Sequence, residues 1–98
     1  GSRYQIAVAG PARSAYVLYV SPALRAAPLL RPPSGYLLLD DPVQLLGLGR
    51  LDERGEATFT VKVPAGTRPG TLVFLQARVS SPSRGVATYT NYVELALR

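Results

Sequence analysis

Apolar residues recur at every second position through much of this chain, and Pro, Gly and Ser break the pattern at short intervals. From Arg3 to Ala9, Tyr4, Ile6 and Val8 fall on one side and Arg3, Gln5 and Ala7 on the other. A period of two predicts a strand with one face buried. Gly10-Pro11 ends it. Residues 14–21 are apolar at nearly every position (Ala15, Tyr16, Val17, Leu18, Tyr19, Val20), which predicts a central strand covered on both sides. Residues 22–35 hold Pro22, Pro28, Pro32, Pro33 and Gly35. Proline lacks the N–H and fixes φ, so this density predicts a long crossing connection with room for a short edge segment near Leu29-Leu30. A strand resumes from Tyr36 to Asp40.

Residues 41–48 read in two ways. Asp41 as N-cap with Pro42 at the first helical position predicts a single helical turn over 42–46, stopped by Gly47. The rival is a strand through Val43 to Leu48; the capping residues favour the turn. Downstream, Asp52-Glu53-Arg54-Gly55 separates an apolar stretch from Glu56 to Val63. In that run Ala57, Phe59, Val61 and Val63 share one face and Glu56, Thr58, Thr60 and Lys62 the other. Gly55 is placed to take positive φ at the end of a type I turn, opened by Asp52. After the loop 64–70, Val73, Leu75, Ala77 and Val79 alternate with Leu72, Phe74, Gln76 and Arg78. A turn is expected between Ser80 and Gly85. A last strand carries Tyr89, Asn91, Val93, Leu95 and Leu97 on one face, and Tyr92 on the other. No segment carries the apolar stripe of a core helix. The fold class predicted is all-β, an antiparallel β-sandwich of six to seven strands.

The run from Gly49 to Pro64 resembles a "G-x-L-D-x-x-G-x-A" hairpin ending in "V-P". Val73 to Val79 is similar to an "L-x-x-Q-A" strand, and Thr90-Asn91-Tyr92-Val93 to a "T/S-N-x-V" closing strand. Together, over about residues 36–97, they resemble the C-terminal immunoglobulin-like β-sandwich modules of long secreted and cell-surface bacterial proteins. The resemblance implies an immunoglobulin-like sandwich, an extracellular or cell-surface location and an accessory role. Read by themselves, Asp52 and Gly55 set the turn. Gln76, mid-strand among apolar neighbours, is expected to hydrogen-bond the backbone of a crossing loop, and Asn91 to cap a turn.

Composition narrows the reading. Ninety-eight residues, 47% hydrophobic, suit one domain over residues 3–98. Gly1-Ser2 reads as a protease-cleavage scar outside the fold, and the chain as a domain excised from a longer precursor. Without Cys, disulfides and Cys-based zinc sites are excluded. No run reaches the roughly 18–20 apolar residues of a membrane-spanning helix. The net charge is +5, and residues 1–39 hold Arg3, Arg13, Arg25 and Arg31 with no acid. This asymmetry makes an anionic polymer, such as an acidic polysaccharide, a candidate partner. The four arginines form no run, so nucleic acid is not expected.

The chain also has no His, which removes the commonest general base and any Ser-His-Asp triad. The acids are Asp40, Asp41, Asp52, Glu53, Glu56 and Glu94. Asp40 and Asp41 are adjacent and would point to opposite faces of a strand. Calcium at Asp40, Asp41 and Asp52 lacks the D-x-[DN]-x-[DN]-G spacing, and a turn-forming role for these residues is favoured. No cofactor is expected, and no enzymatic activity. Of six Tyr, Tyr19, Tyr36 and Tyr92 are placed to share an exposed patch for a partner. The expected function is a non-catalytic structural or adhesive module that contacts other protein domains or copies of itself.

Overall fold

The computed structural model describes residues 3–32, 34–81 and 87–97, with Asn91 described by its backbone alone. Residues 82–85 of the expected turn, and the Asn91 side chain expected to cap one, therefore lie outside the described residues. The protein is a β-sandwich. Its strands are β1 (Arg3–Ala9), β2 (Ala15–Ser21), β3 (Leu24–Arg31), β4 (Gly35–Leu39), β5 (Gln44–Arg50), β6 (Glu56–Lys62), β7 (Leu72–Ser80) and β8 (Ala87–Ala96). β1 pairs with β6. A four-stranded sheet runs β5-β2-β7-β8, and β3-β4 forms a separate hairpin. Every pairing is antiparallel. Among the described residues there is no helix, and so none long and apolar enough to cross a membrane.

The core follows from the alternation. Ile6 and Val8 of β1 and Val61 of β6 meet Tyr16 and Leu18 of β2 and Leu75, Ala77 and Val79 of β7, with Leu51 and the half-buried Phe59 closing the cluster. The β1-β6 pair therefore covers one face of the four-stranded sheet, its inner face. Burying each such aliphatic side chain contributes about 1.5–3 kcal/mol. β2 lies between β5 and β7, the central position its continuous apolar run requires.

Three readings change. The described residues form eight strands, because two segments expected to be irregular are extended. Residues 42–46 form no helical turn: Gln44–Arg50 is a strand paired with β2, and Asp41, joined to Pro42 by a cis peptide, caps nothing. Gly47, the expected stop of that turn, has another purpose, which Gly49 shares. Gly47 and Gly49 lie opposite Leu18 and Tyr16 on the inner face. A Cβ on Gly47 would collide with the Phe59 ring, and one on Gly49 would stand 2.6 Å from the Tyr16 hydroxyl oxygen. The two glycines make room for two rings, and that spacing works only in a strand.

Residues 24–31, expected to cross as a connection, form β3. The pairing with β4 breaks between Leu24 and Leu29, so Pro28 falls in the irregular part of an edge strand, where its missing N–H interrupts no ladder. The turn at 52–55 forms as read. The Asp52 carboxylate accepts the N–H groups of Arg54 (2.8 Å) and Glu56 (2.9 Å), and Gly55 has φ +78°. It closes no hairpin, however. β5 belongs with β2 and β6 with β1, so the turn carries the chain from one sheet to the other. Buried Leu51, whose N–H donates to the Ser14 carbonyl (2.8 Å), anchors the crossing.

Candidate functional site

The outer face of the four-stranded sheet is only partly covered. The β3-β4 hairpin lies against its β7-β8 side, and Gln76, 1% exposed, holds it there. The Leu38 N–H donates to Gln76 Oε1 (2.9 Å), while Gln76 Nε2 donates to the carbonyls of Tyr36 (3.0 Å) and Thr90 (2.9 Å). The Tyr89 N–H adds a bond to the Ser34 carbonyl (2.9 Å). One side-chain amide thus satisfies the free edge of β4, a strand and not the expected loop, in the way a neighbouring strand would. Leu37 and Leu39, 6% and 0% exposed, are buried outside the main core cluster.

Between this hairpin and the sheet opens a cleft of about 260 Å³, lined by Tyr19, Arg31, Leu37, Asp41, Val43, Arg78 and Tyr89. Register explains the convergence. Val17, Arg78 and Tyr89 are cross-strand partners in one row, and Leu45, Tyr19, Gln76 and Tyr92 in the next. Among the described residues the ion pairs are those of Arg25 with Asp40 (3.9 Å) and Asp41 (3.8 Å). Arg31 and Arg78 have no acidic partner there. Two arginines against one aspartate leave the lining with a formal charge of +1.

Beside Tyr19 the sheet is open. Leu45, the partner of Tyr19, is 60% exposed, and Leu48, the partner of Val17, is 70% exposed. Both belong to β5, which among the described residues has no strand along its outer edge. They share a face despite a spacing of three because the register shifts between Leu18 and Tyr19, leaving Leu46 as an extra residue. A second bulge, opposite Ala77, does the same for Tyr89 and Tyr92. Strict alternation had put those tyrosines on opposite faces; the bulge puts both on the outer one.

The predicted site residues are distributed as follows. Tyr19 and Arg31 come together in the cleft. Tyr92 lies on the same face beyond Gln76, edge-on to Phe74 with ring centroids 6.1 Å apart. Tyr36 is exposed on the hairpin opposite Leu30, its carbonyl bonded to Gln76, which lies between Tyr19 and Tyr92. Arg3 pairs across β1-β6 with Lys62. Arg13, in a left-handed turn (φ 63°), donates its N–H to Asp52 and accepts Arg50 Nη1 at its carbonyl. Arg25 is engaged by Asp40 and Asp41, with its Nε buried and unpartnered. The four arginines of the first third are therefore spread over β1, the turn before β2, and the two ends of β3, where Arg25 is paired and Arg31 lines the cleft. Asp52 and the Asp40-Asp41 pair have separate partners too, and among the described residues no three acids converge on a metal-sized site.

Arg78 and Tyr89 escaped the sequence reading, while Leu45 and Leu48 fall in the Leu-rich region 29–51, whose excess of apolar side chains predicts a covered surface. The available signals were weak: Asn91 within a strand, a position where asparagine is disfavoured, and the Gly-x-Gly of β5. No protein family, curated protein or solved structure matches this chain. The cleft must be read from its own residues.

Proposed function

We propose that this domain is a non-catalytic binding module that makes protein–protein contacts, a structural or adhesive part of a larger secreted or cell-surface bacterial protein. The observation that carries this reading is the pair Leu45 and Leu48, 60% and 70% exposed on an edge strand beside an arginine- and tyrosine-lined cleft. Adjacent exposed leucines on a sheet edge form a surface that a partner covers. Arginine and tyrosine are the residue types that dominate protein interfaces energetically. A chain without His or Cys lacks the side chains most often used for acid–base and thiol chemistry, which supports a binding role. The surface location rests on the resemblance of residues 36–97 to immunoglobulin-like modules of secreted bacterial proteins.

The domain itself is the first partner to test, because β5 offers both leucines and a free edge for strand addition. Static light scattering on the wild type is expected to show a mass rising above 10.5 kDa with concentration. The double variant Leu45→Ser/Leu48→Ser is expected to stay at the monomer mass. A wild type that remains monomeric into the millimolar range would remove self-contact through this surface.

A further inference from the structure

We propose that the cleft between the β3-β4 hairpin and the sheet binds a carboxylate on an acidic, aliphatic peptide segment of a partner protein, with Arg31 and Arg78 as the anion-binding pair. This rests on the reading of the domain as a protein-contact module and names what the partner brings. Arg31 and Arg78 enter the lining from opposite walls, one from the hairpin and one from the sheet. Neither has an acidic partner among the described residues. Two arginines lining one cleft carry like charges, and an anion bound between their guanidinium groups would turn that repulsion into two charge-assisted contacts of the fork geometry carboxylates accept. Tyr19 and Tyr89 line the same cleft, and each brings a hydroxyl donor; among the described residues neither hydroxyl makes a protein hydrogen bond.

Three features select the ligand. Asp41 shares the lining, and a net charge of +1 suits a monoanionic carboxylate better than a phosphate dianion. A volume of about 260 Å³ falls below the roughly 300–1,000 Å³ of small-molecule sites, which fits one side chain. Leu45 and Leu48 extend from Tyr19 as an apolar shelf, so the residues beside the acid are aliphatic. A sugar acid would instead want an open aromatic face, and Tyr19 and Tyr89 are half-buried.

The test is an amide and arginine side-chain NMR titration with the blocked tripeptide acetyl-Leu-Glu-Leu-amide. Its Gln counterpart and a galacturonic acid oligomer serve as separate arms. The Glu peptide is expected to shift the Arg31 and Arg78 Nε–H and the Tyr19 and Tyr89 amide signals saturably, and added salt to weaken it. The Gln peptide, and the Glu peptide on Arg78→Gln, should bind about tenfold more weakly or worse. Arg68→Gln, in an exposed loop, should change nothing. Absent shifts, equal binding of the Glu and Gln peptides, an unaffected Arg78→Gln domain, or tighter binding of the galacturonate oligomer would each overturn the proposal. Peptide failure with concentration-dependent association intact removes only the carboxylate assignment. Loss of both removes the contact module with it.

Discussion

The two faces of the four-stranded sheet come from the same strands and have opposite fates. On the inner face the β1-β6 pair covers the middle of the sheet, where Tyr16, Leu18, Leu75, Ala77 and Val79 are all at or below 6% exposure, while Val93 at the β8 edge is 44% exposed. A second sheet demands this regularity, because a register slip would send the whole apolar set outward. On the outer face the opposing sheet is the β3-β4 hairpin, which lies against the β7-β8 side. Held through one glutamine, it covers part of that face, and two bulges shift the side chains along β5 and β8. Where packing is complete the alternation holds; where it lapses, the register loosens and the surface becomes available for binding.

The largest expected effect lies on the inner face. Leu18→Ala, at 2% exposure, should cost about 2–5 kcal/mol of stability, read as a lower denaturation midpoint at unchanged slope. Next comes the amide that holds the outer cover. Gln76→Ala leaves part-buried backbone groups of Tyr36, Leu38 and Thr90 without this partner, a loss of about 1–3 kcal/mol. Here hydrogen exchange should distinguish the two faces. Amides of β3 and β4 should lose protection in Gln76→Ala while those of β2 and β7 keep it. Equal loss across all four strands would mean that the hairpin and the core form one cooperative unit and that the comparison between faces is wrong.

How much was legible follows the same division. Tyr4, Ile6 and Val8, the face of Phe59 and Val61, and the run from Val73 to Val79 announce themselves by period, because each has a covered side and a wet one. The turn at Asp52 and Gly55 was legible from local chemistry alone. That it joins two sheets was not, since the destination of a chain after a turn depends on long-range pairing. Gly47 misled because a glycine marks either a stop or a place where a ring approaches, and the ring, that of Phe59, comes from β6. In the cleft, Tyr19 and Arg31 stood out by residue type. Tyr89 and Arg78 required knowledge of the bulge, and no residue spacing reports a bulge on its own.

A smaller effect tests the crossing between the faces. Asp52→Ala removes the acceptor for the Arg54 and Glu56 N–H groups at an exposed site, a loss of about 1 kcal/mol. Asp52→Asn keeps an acceptor oxygen and should recover most of it in thermal denaturation. If the two variants behave alike, the carboxylate charge matters more than the two hydrogen bonds.

The smallest effect on stability should come from the residues that matter most for contact. Leu45 and Leu48 are already in water, so Leu45→Ser/Leu48→Ser removes little buried apolar area and should leave stability within about 0.5 kcal/mol per site of the wild type. Leu18 lies one strand away on the opposite face, and its truncation should be roughly an order of magnitude more damaging. Measuring both variants by urea denaturation and by light scattering sets fold against contact. The Leu18 variant should lose stability and, while folded, still associate; the serine variant should do the reverse. A serine variant that unfolds readily would show that the shelf is part of the core, and the outer face would then have no surface left to offer a partner.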